Sequence, residues 1–230
     1  LLTSNKKLTQ EVRKLFDFFE TTYKLSSFNH LIVSPFKTRK RIIRLIQNEI
    51  EAAGKGKHAW IFIKANNLTD PSVIRALYEA GRAGVKVRLI IRSMHSLQAG
   101  VPGISDNIEA VSIVDKYLEH SRVFVFANGG KPLFFLSSAD LMPRNLDQRI
   151  EVTFPIFDPG IRRELTSFLH LQWKDTVKAR LLDRRLHNRI RPAGRGKAIR
   201  AQWAIHQMLT RRKYSAHIVH ERAAATGEKA

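Results

Sequence analysis

The order of short apolar runs and helix-period stretches is what most limits the folds open to this chain. Leu31-Ile32-Val33, Trp60-Ile61-Phe62-Ile63 and Val85-Lys86-Val87-Arg88-Leu89-Ile90-Ile91 are strand-sized and rich in β-branched or aromatic side chains. The stretches between them have the helical period. From about Lys37 to Ala53, the residues Ile42, Ile43, Leu45, Ile46 and Ile50 share one face, and Gly54-Lys55-Gly56 ends the run. Asp70 is placed to cap a second helix reaching about Ala83, with Pro71 at its first position. Strand-helix-strand-helix-strand argues for a parallel, helix-covered sheet.

The second half of the chain is richer in strand. Ala110 to Val114, Arg122 to Phe126, Leu133 to Leu136 and Ile150 to Phe154 read as extended, with Asn128-Gly129-Gly130 a natural hairpin turn. Val12, Leu15, Phe16 and Phe19 give an amphipathic helix over Thr9 to Phe19, and helix returns after Asp158-Pro159 and around Ala198 to Leu209. The fold class is therefore α/β with a mixed sheet.

With 230 residues, 43% of them hydrophobic, the chain can bury a real core. It has no cysteine, which excludes disulfides and thiolate metal sites. No apolar run is long enough to span a bilayer. Leu1-Leu2-Thr3-Ser4-Asn5 shows neither an initiator methionine nor a signal-peptide pattern, so the chain reads as a piece of something longer. Forty Lys+Arg against 20 Asp+Glu give a net charge of +20, which implies an anionic partner: nucleic acid, acidic lipid or a phosphate polymer. From Lys178 to Ala230 there are 14 Lys+Arg against 3 Asp+Glu, so the tail holds +11 of that excess.

In open α/β sheets, ligands bind beyond the carboxyl ends of strands. Polar clusters fall beside predicted strand ends at Lys64-Ala65-Asn66, Arg92, His120-Ser121-Arg122 and Ser137-Ser138-Ala139-Asp140, with Arg144, Arg149 and Glu151 close behind. Brought together, they form a site with one histidine, several guanidinium forks and few carboxylates, which suits a polyanionic substrate. Each also has a plainer structural reading. Arg92 can end its strand in solvent, Lys64 and Asn66 can be loop residues, His120 can be structural, and Asp140 can pair with Arg149. No glycine-rich phosphate loop is present.

Several strings in register carry a family resemblance. Val33-Ser34-Pro35-Phe36, Lys64-Ala65-Asn66-Asn67-Leu68-Thr69-Asp70 and Gly103-Ile104-Ser105-Asp106-Asn107-Ile108 come first. Ser112-Ile113-Val114-Asp115-Lys116-Tyr117-Leu118-Glu119-His120-Ser121-Arg122, Ser137-Ser138-Ala139-Asp140-Leu141-Met142-Pro143-Arg144-Asn145, Arg149-Ile150-Glu151-Val152 and Asp175-Thr176-Val177-Lys178-Ala179-Arg180 continue the order. Together they resemble the polyphosphate kinases of the first type, over nearly the whole chain. The resemblance implies a phospholipase D-like α/β/α sandwich: residues 1–29 end a preceding half, 30–190 form the C-terminal catalytic half, and 191–230 are a basic helical tail.

It further implies reversible transfer of the terminal phosphate of ATP to polyphosphate through a phosphohistidine. The nucleophile and the magnesium ligands are then expected upstream of Leu1, and the chain alone is expected to be inactive. Arg92, His120 and Arg149 match positions that bind ATP phosphates, and His120 matches the second active-site histidine. The implied partners are ATP or ADP and polyphosphate, with no specific nucleic acid. Assembly into homo-oligomers and a cytoplasmic location, with peripheral association at the inner membrane face, belong to the same expectation. The chain departs from the family pattern at Arg92-Ser93-Met94-His95, where Arg-Gly followed two residues later by Cys is usual, and at Leu141, where tryptophan is usual.

Two other functions fit parts of the sequence. A phospholipase D-like phosphodiesterase needs a lysine two residues after its histidine and an acid further on; Arg122 holds the first position and Val123 to Ala127 supply no acid. A nucleic-acid-binding module would explain the charge, yet the tail offers only Trp203 and Tyr214 for stacking.

Overall fold

The computed structural model describes residues 3–21, 27–185, 187–194 and 196–211. Eight strands form one sheet: β1 (Ile32–Ser34), β2 (Trp60–Ala65), β3 (Lys86–Ile91), β4 (Ile108–Ile113), β5 (Val123–Phe126), β6 (Leu133–Ser137), β7 (Glu151–Pro155) and β8 (Ala179–Leu181). The helices are α1 (Lys6–Glu20), α2 (Thr38–Gly54), α3 (Pro71–Arg82), the short α4 (Pro143–Asp147) and α5 (Pro159–Trp173). Residues 201–211 are helical as well.

The strand order is β1-β7-β6-β5-β2-β3-β4-β8. Strands β2, β3 and β4 pair in parallel, and every other pairing is antiparallel. The expected mixed α/β sheet is present, with one correction to its first unit. β1 does not join β2; it closes the far edge against β7, with Val33 opposite Val152. Three residues give too short a ladder to compete for the central position, which goes to the longer apolar β2 and β3.

Alternation along the strands sorts side chains between two layers. Ile61, Ile63, Val87, Leu89, Phe124 and Phe126 face α2 and α3, whose Ile42, Ile46, Val73 and Leu77 complete the main core. Phe62, Ile90, Val123, Val125 and Phe134 face the other way, toward Leu169 and Trp173 of α5. Arg88 and Arg191 lie over the Trp173 ring, 5.3 and 4.6 Å from its centre. The result is an α/β/α sandwich.

Local chemistry sets the helix ends. Asp70 accepts the N–H groups of Ser72 and Val73 ahead of α3, and Asp158 accepts that of Ile161 ahead of α5, each with proline at the first helical position. Between β5 and β6 the predicted turn is a single 3-10 turn in which Asn128, Gly129 and Gly130 all have positive φ. α1 packs Leu8 and Leu15 against Leu31 and Val33, and its buried Glu11 accepts the backbone N–H groups of Asn29, His30 and Leu31. Of the expected basic tail, residues 212–230 lie outside the described residues.

Candidate active site

Strand direction gathers the polar clusters. The C-terminal ends of β1, β2, β3, β4 and β6 and the N-terminal ends of β5, β7 and β8 all fall on one edge of the sheet. Lys64 and Asn66 close β2, Arg92 comes directly after β3, His120 and Arg122 precede β5, Ser138 and Asp140 come after β6, and Arg149 precedes β7. His120 therefore sits two strands from β3 and two from β7. Arg92 and Arg149 flank it at opposite ends of a span of roughly 19 Å, four strand spacings.

The exposed imidazole of His120 and the guanidinium groups of Arg92, Arg144 and Arg149 make no hydrogen bond or ion pair within the protein among the described residues. The carboxylates nearby are all engaged. Asp140 takes Arg122 in two contacts of 3.0 and 3.2 Å and also accepts the N–H groups of Asn66 and Asn67 and the Asn67 amide. Burial pushes the Asp140 pKa up, but Arg122 and the Asn67 and Asn66 donors outweigh it and leave the group below its ordinary value. Asp140 thus pairs with Arg122 and not with Arg149. Glu151 accepts from Ser138 and Asn145, and Asp115 holds Arg200 at 2.9 and 2.6 Å.

Lys64 is neither in a loop nor at the surface. It belongs to β2 and is 1% exposed. Its Nζ lies 3.3 Å from Glu119 Oε2 and donates to the Ser121 carbonyl at 3.2 Å. Burial lowers its pKa, Glu119 opposes that shift, and Arg92 and Arg122 add to it. Asn66 is buried too. With its amide nitrogen toward the Glu119 carbonyl at 2.9 Å, its oxygen receives Arg122 at 2.7 and 3.2 Å.

His95 lies close to Arg92 in the sequence, an unexpected second imidazole near the site. The fold withdraws it: both ring nitrogens are buried without a partner, and burial holds its pKa down at about 4. Leu141 fills a fully buried position between Asn67 and Asp70, whose backbone N–H bonds to its carbonyl. The sequence carries no signal for Gln172 or Gln202, and it offers Asp175 only as the first residue of a family string, without a role. Gln172 and Gln202 matter through partners distant in the chain, and Asp175 through both its own turn and Ala201. A cavity of about 340 Å³ lined by Trp60, Phe62, Arg88, Phe134 and Trp173 lies on the α5 face, at the other end of the strands from His120.

An exposed imidazole between unpaired guanidinium groups, with the neighbouring carboxylates already bonded, gives this α/β domain a cationic edge whose geometry suits anionic oxygens. Arg122 cannot serve as the free cation of a phospholipase D-like half-site, because Asp140 and Asn66 already hold it. The family described as "Polyphosphate kinase C-terminal domain 2" matches residues 31–202, and the chain belongs to it. Over 209 residues it is 48% identical to the polyphosphate kinase of Vibrio cholerae and 44% identical to that of Escherichia coli K12, covering 91% of this chain in each case. The crystal structure of polyphosphate kinase from Porphyromonas gingivalis superposes with a TM-score of 0.89 at 38% identity, over 93% of this chain and 33% of that one. The chain spans about 30% of the length of the curated relatives it matches.

Proposed function

We propose that this chain is the C-terminal catalytic part of an ATP-polyphosphate phosphotransferase, with residues 1–29 closing the preceding half, 30–190 forming the catalytic half and 191–230 a basic tail. The observation that carries this reading is the edge itself: among the described residues His120 stands without a bond between Arg92 and Arg149, and the carboxylates of Asp140, Glu151 and Asp115 are bonded elsewhere. Phosphoryl transfer spreads charge over the equatorial oxygens, and fixed cations stabilise it without other chemistry.

In the proposed reaction, a histidine of the upstream part attacks the terminal phosphorus of ATP. The bond to the bridging oxygen breaks and ADP leaves. The terminal oxygen of polyphosphate then takes the phosphoryl group from that histidine. Arg92 and Arg149 grip phosphate oxygens on either side of His120, two strands away in each direction. His120 contacts the nucleotide and holds or delivers a proton at the leaving oxygen.

Magnesium does not fit the residues of this edge. They are cationic, and the described residues contain no group of three side chains able to hold a metal ion. Its ligands would come from the nucleotide phosphates and the upstream part. Among the described residues no helix is long and apolar enough to cross a membrane. Homo-oligomeric assembly and a cytoplasmic place at the inner membrane face belong to the same proposal.

The test substitutes this chain for the matching segment of the Vibrio cholerae polyphosphate kinase and monitors polymer formation from ATP. The parent should make polyphosphate, and His120→Ala and Arg92→Ala should each lower turnover about a hundredfold or more while the protein stays folded. A parent that cleaves phosphodiesters and makes no polymer, or an unimpaired Arg92→Ala variant, would overturn the reading.

A further inference from the structure

His120 stands on a short segment, residues 114–122, between β4 and β5. Among the described residues its own side chain makes no hydrogen bond or ion pair that would fix it. The residues on either side are fixed instead. Buried Lys64 reaches across from β2 to the Glu119 carboxylate and to the Ser121 carbonyl, and so bridges the two neighbours of His120. The Glu119 carboxylate has two further donors: Gln172 of α5 bonds Oε2 at 2.5 Å, and Gln202 of the 201–211 helix bonds Oε1 at 2.9 Å. Gln202 also donates to the Tyr117 carbonyl and accepts the Tyr117 N–H, at 2.8 and 3.0 Å. Arg122, itself held by Asp140, donates to the His120 carbonyl at 3.2 Å.

This arrangement is a poor way to gain stability. A buried ion pair seldom improves on apolar residues of similar volume. Here the lysine also lies near Arg92 and Arg122, which disfavour its charge. What the arrangement does achieve is direction, because β2, α5 and the 201–211 helix converge on residues 117–121, through the Glu119 carboxylate and the backbone of Tyr117 and Ser121, and leave the imidazole free. We infer that Lys64, Glu119, Gln172 and Gln202 are positioning residues that mount His120 in its working orientation, so that the helix at 201–211 is part of the active site. The inference rests on the proposed role of His120.

The helix is well enough anchored to act this way. The fully buried Asp175 carboxylate accepts the N–H groups of Val177, Lys178 and Ala179 through one oxygen and that of Ala201 through the other. Thr176 and Ile199 exchange hydrogen bonds at 2.9 and 3.0 Å. Arg200, just ahead of the helix, is clamped by Asp115. A displacement of Gln202 therefore reaches Glu119 directly.

The test uses the Vibrio cholerae chimera together with the 230-residue chain. In the chimera, Glu119→Gln should lower kcat about a hundredfold with KM for ATP within about twofold, the pattern of a displaced catalytic group. Gln202→Ala should lower it about tenfold, with the same split. Because Glu119→Gln strands a buried lysine and can fail to fold, the double variant Lys64→Met/Glu119→Leu is the second measurement. It should keep wild-type stability, and kcat should still fall about a hundredfold.

In the chain itself, the imidazole signals of His120 recorded by NMR across pH should shift in Glu119→Gln and Gln202→Ala, a readout that needs no activity. A parent chimera without polymer synthesis refutes the function on which the inference rests, while the imidazole signals still report the mount. Folded variants with wild-type kcat, a loss confined to KM, full turnover in the double variant, or unmoved His120 signals would overturn the inference.

Discussion

Replacing His95 by leucine tests whether an imidazole that looks available in the sequence is truly sealed from the site. In the folded chain both ring nitrogens are buried without a partner, and burial lowers the pKa from 6.5 to about 4. Protonation therefore favours the unfolded state. Above pH 6.5 neither state carries the proton and the term is absent. Below it the unfolded chain binds a proton that the folded chain refuses, and stability falls with pH until about pH 4. The full shift is worth about 3.4 kcal/mol, and about 2.5 kcal/mol of it is lost by pH 4.5.

The assay is urea unfolding of the chain and of His95→Leu at pH 7.5 and pH 4.5. Wild type should lose about 2.5 kcal/mol more than the variant between the two values. At pH 7.5 the variant should match or exceed wild type, because it removes two unpaired buried polar atoms. The comparison cancels His170, whose pKa burial also lowers. Depressed carboxylates such as Asp140 titrate mainly below this window. Equal pH dependence in the two proteins would refute the reasoning, since His95 would then be solvated or bonded.

Two further outcomes concern groups that tie distant segments together. Asp140→Ala leaves the largely buried Arg122 guanidinium without its carboxylate and should cost about 3 kcal/mol or more in urea unfolding. In wild type that contribution is present above the ordinary aspartate pKa and disappears as pH falls through the lowered folded value. Asp175→Ala frees the N–H groups of Val177, Lys178, Ala179 and Ala201 at once. It should release the helix at 201–211 and speed proteolysis between residues 176 and 200, and unchanged digestion would show that the helix docks by other contacts.

The local patterns in the sequence were enough to give most of the elements and their class. Short apolar and β-branched runs marked β2 to β7, and Asp70-Pro71 and Asp158-Pro159 marked the starts of α3 and α5, because strand propensity and caps act over a few residues. The three-residue β8 and the five-residue α4 carry too little pattern to be read in advance. Arg92, His120 and Arg149 were legible as a set through motif order, and strand direction alone then put them on one edge. Lys64 carried a readable signal: it continues the Trp60, Phe62 alternation onto the α5 face, which calls for a buried partner.

The identity of that partner, Glu119, is a tertiary fact, as are the pairing of Asp140 with Arg122, the burial of His95 and the reach of Gln202. Each depends on which surfaces meet once the sheet has closed in its final order. Sequence periodicity states that a side chain faces inward, and only the assembled layers decide what it faces.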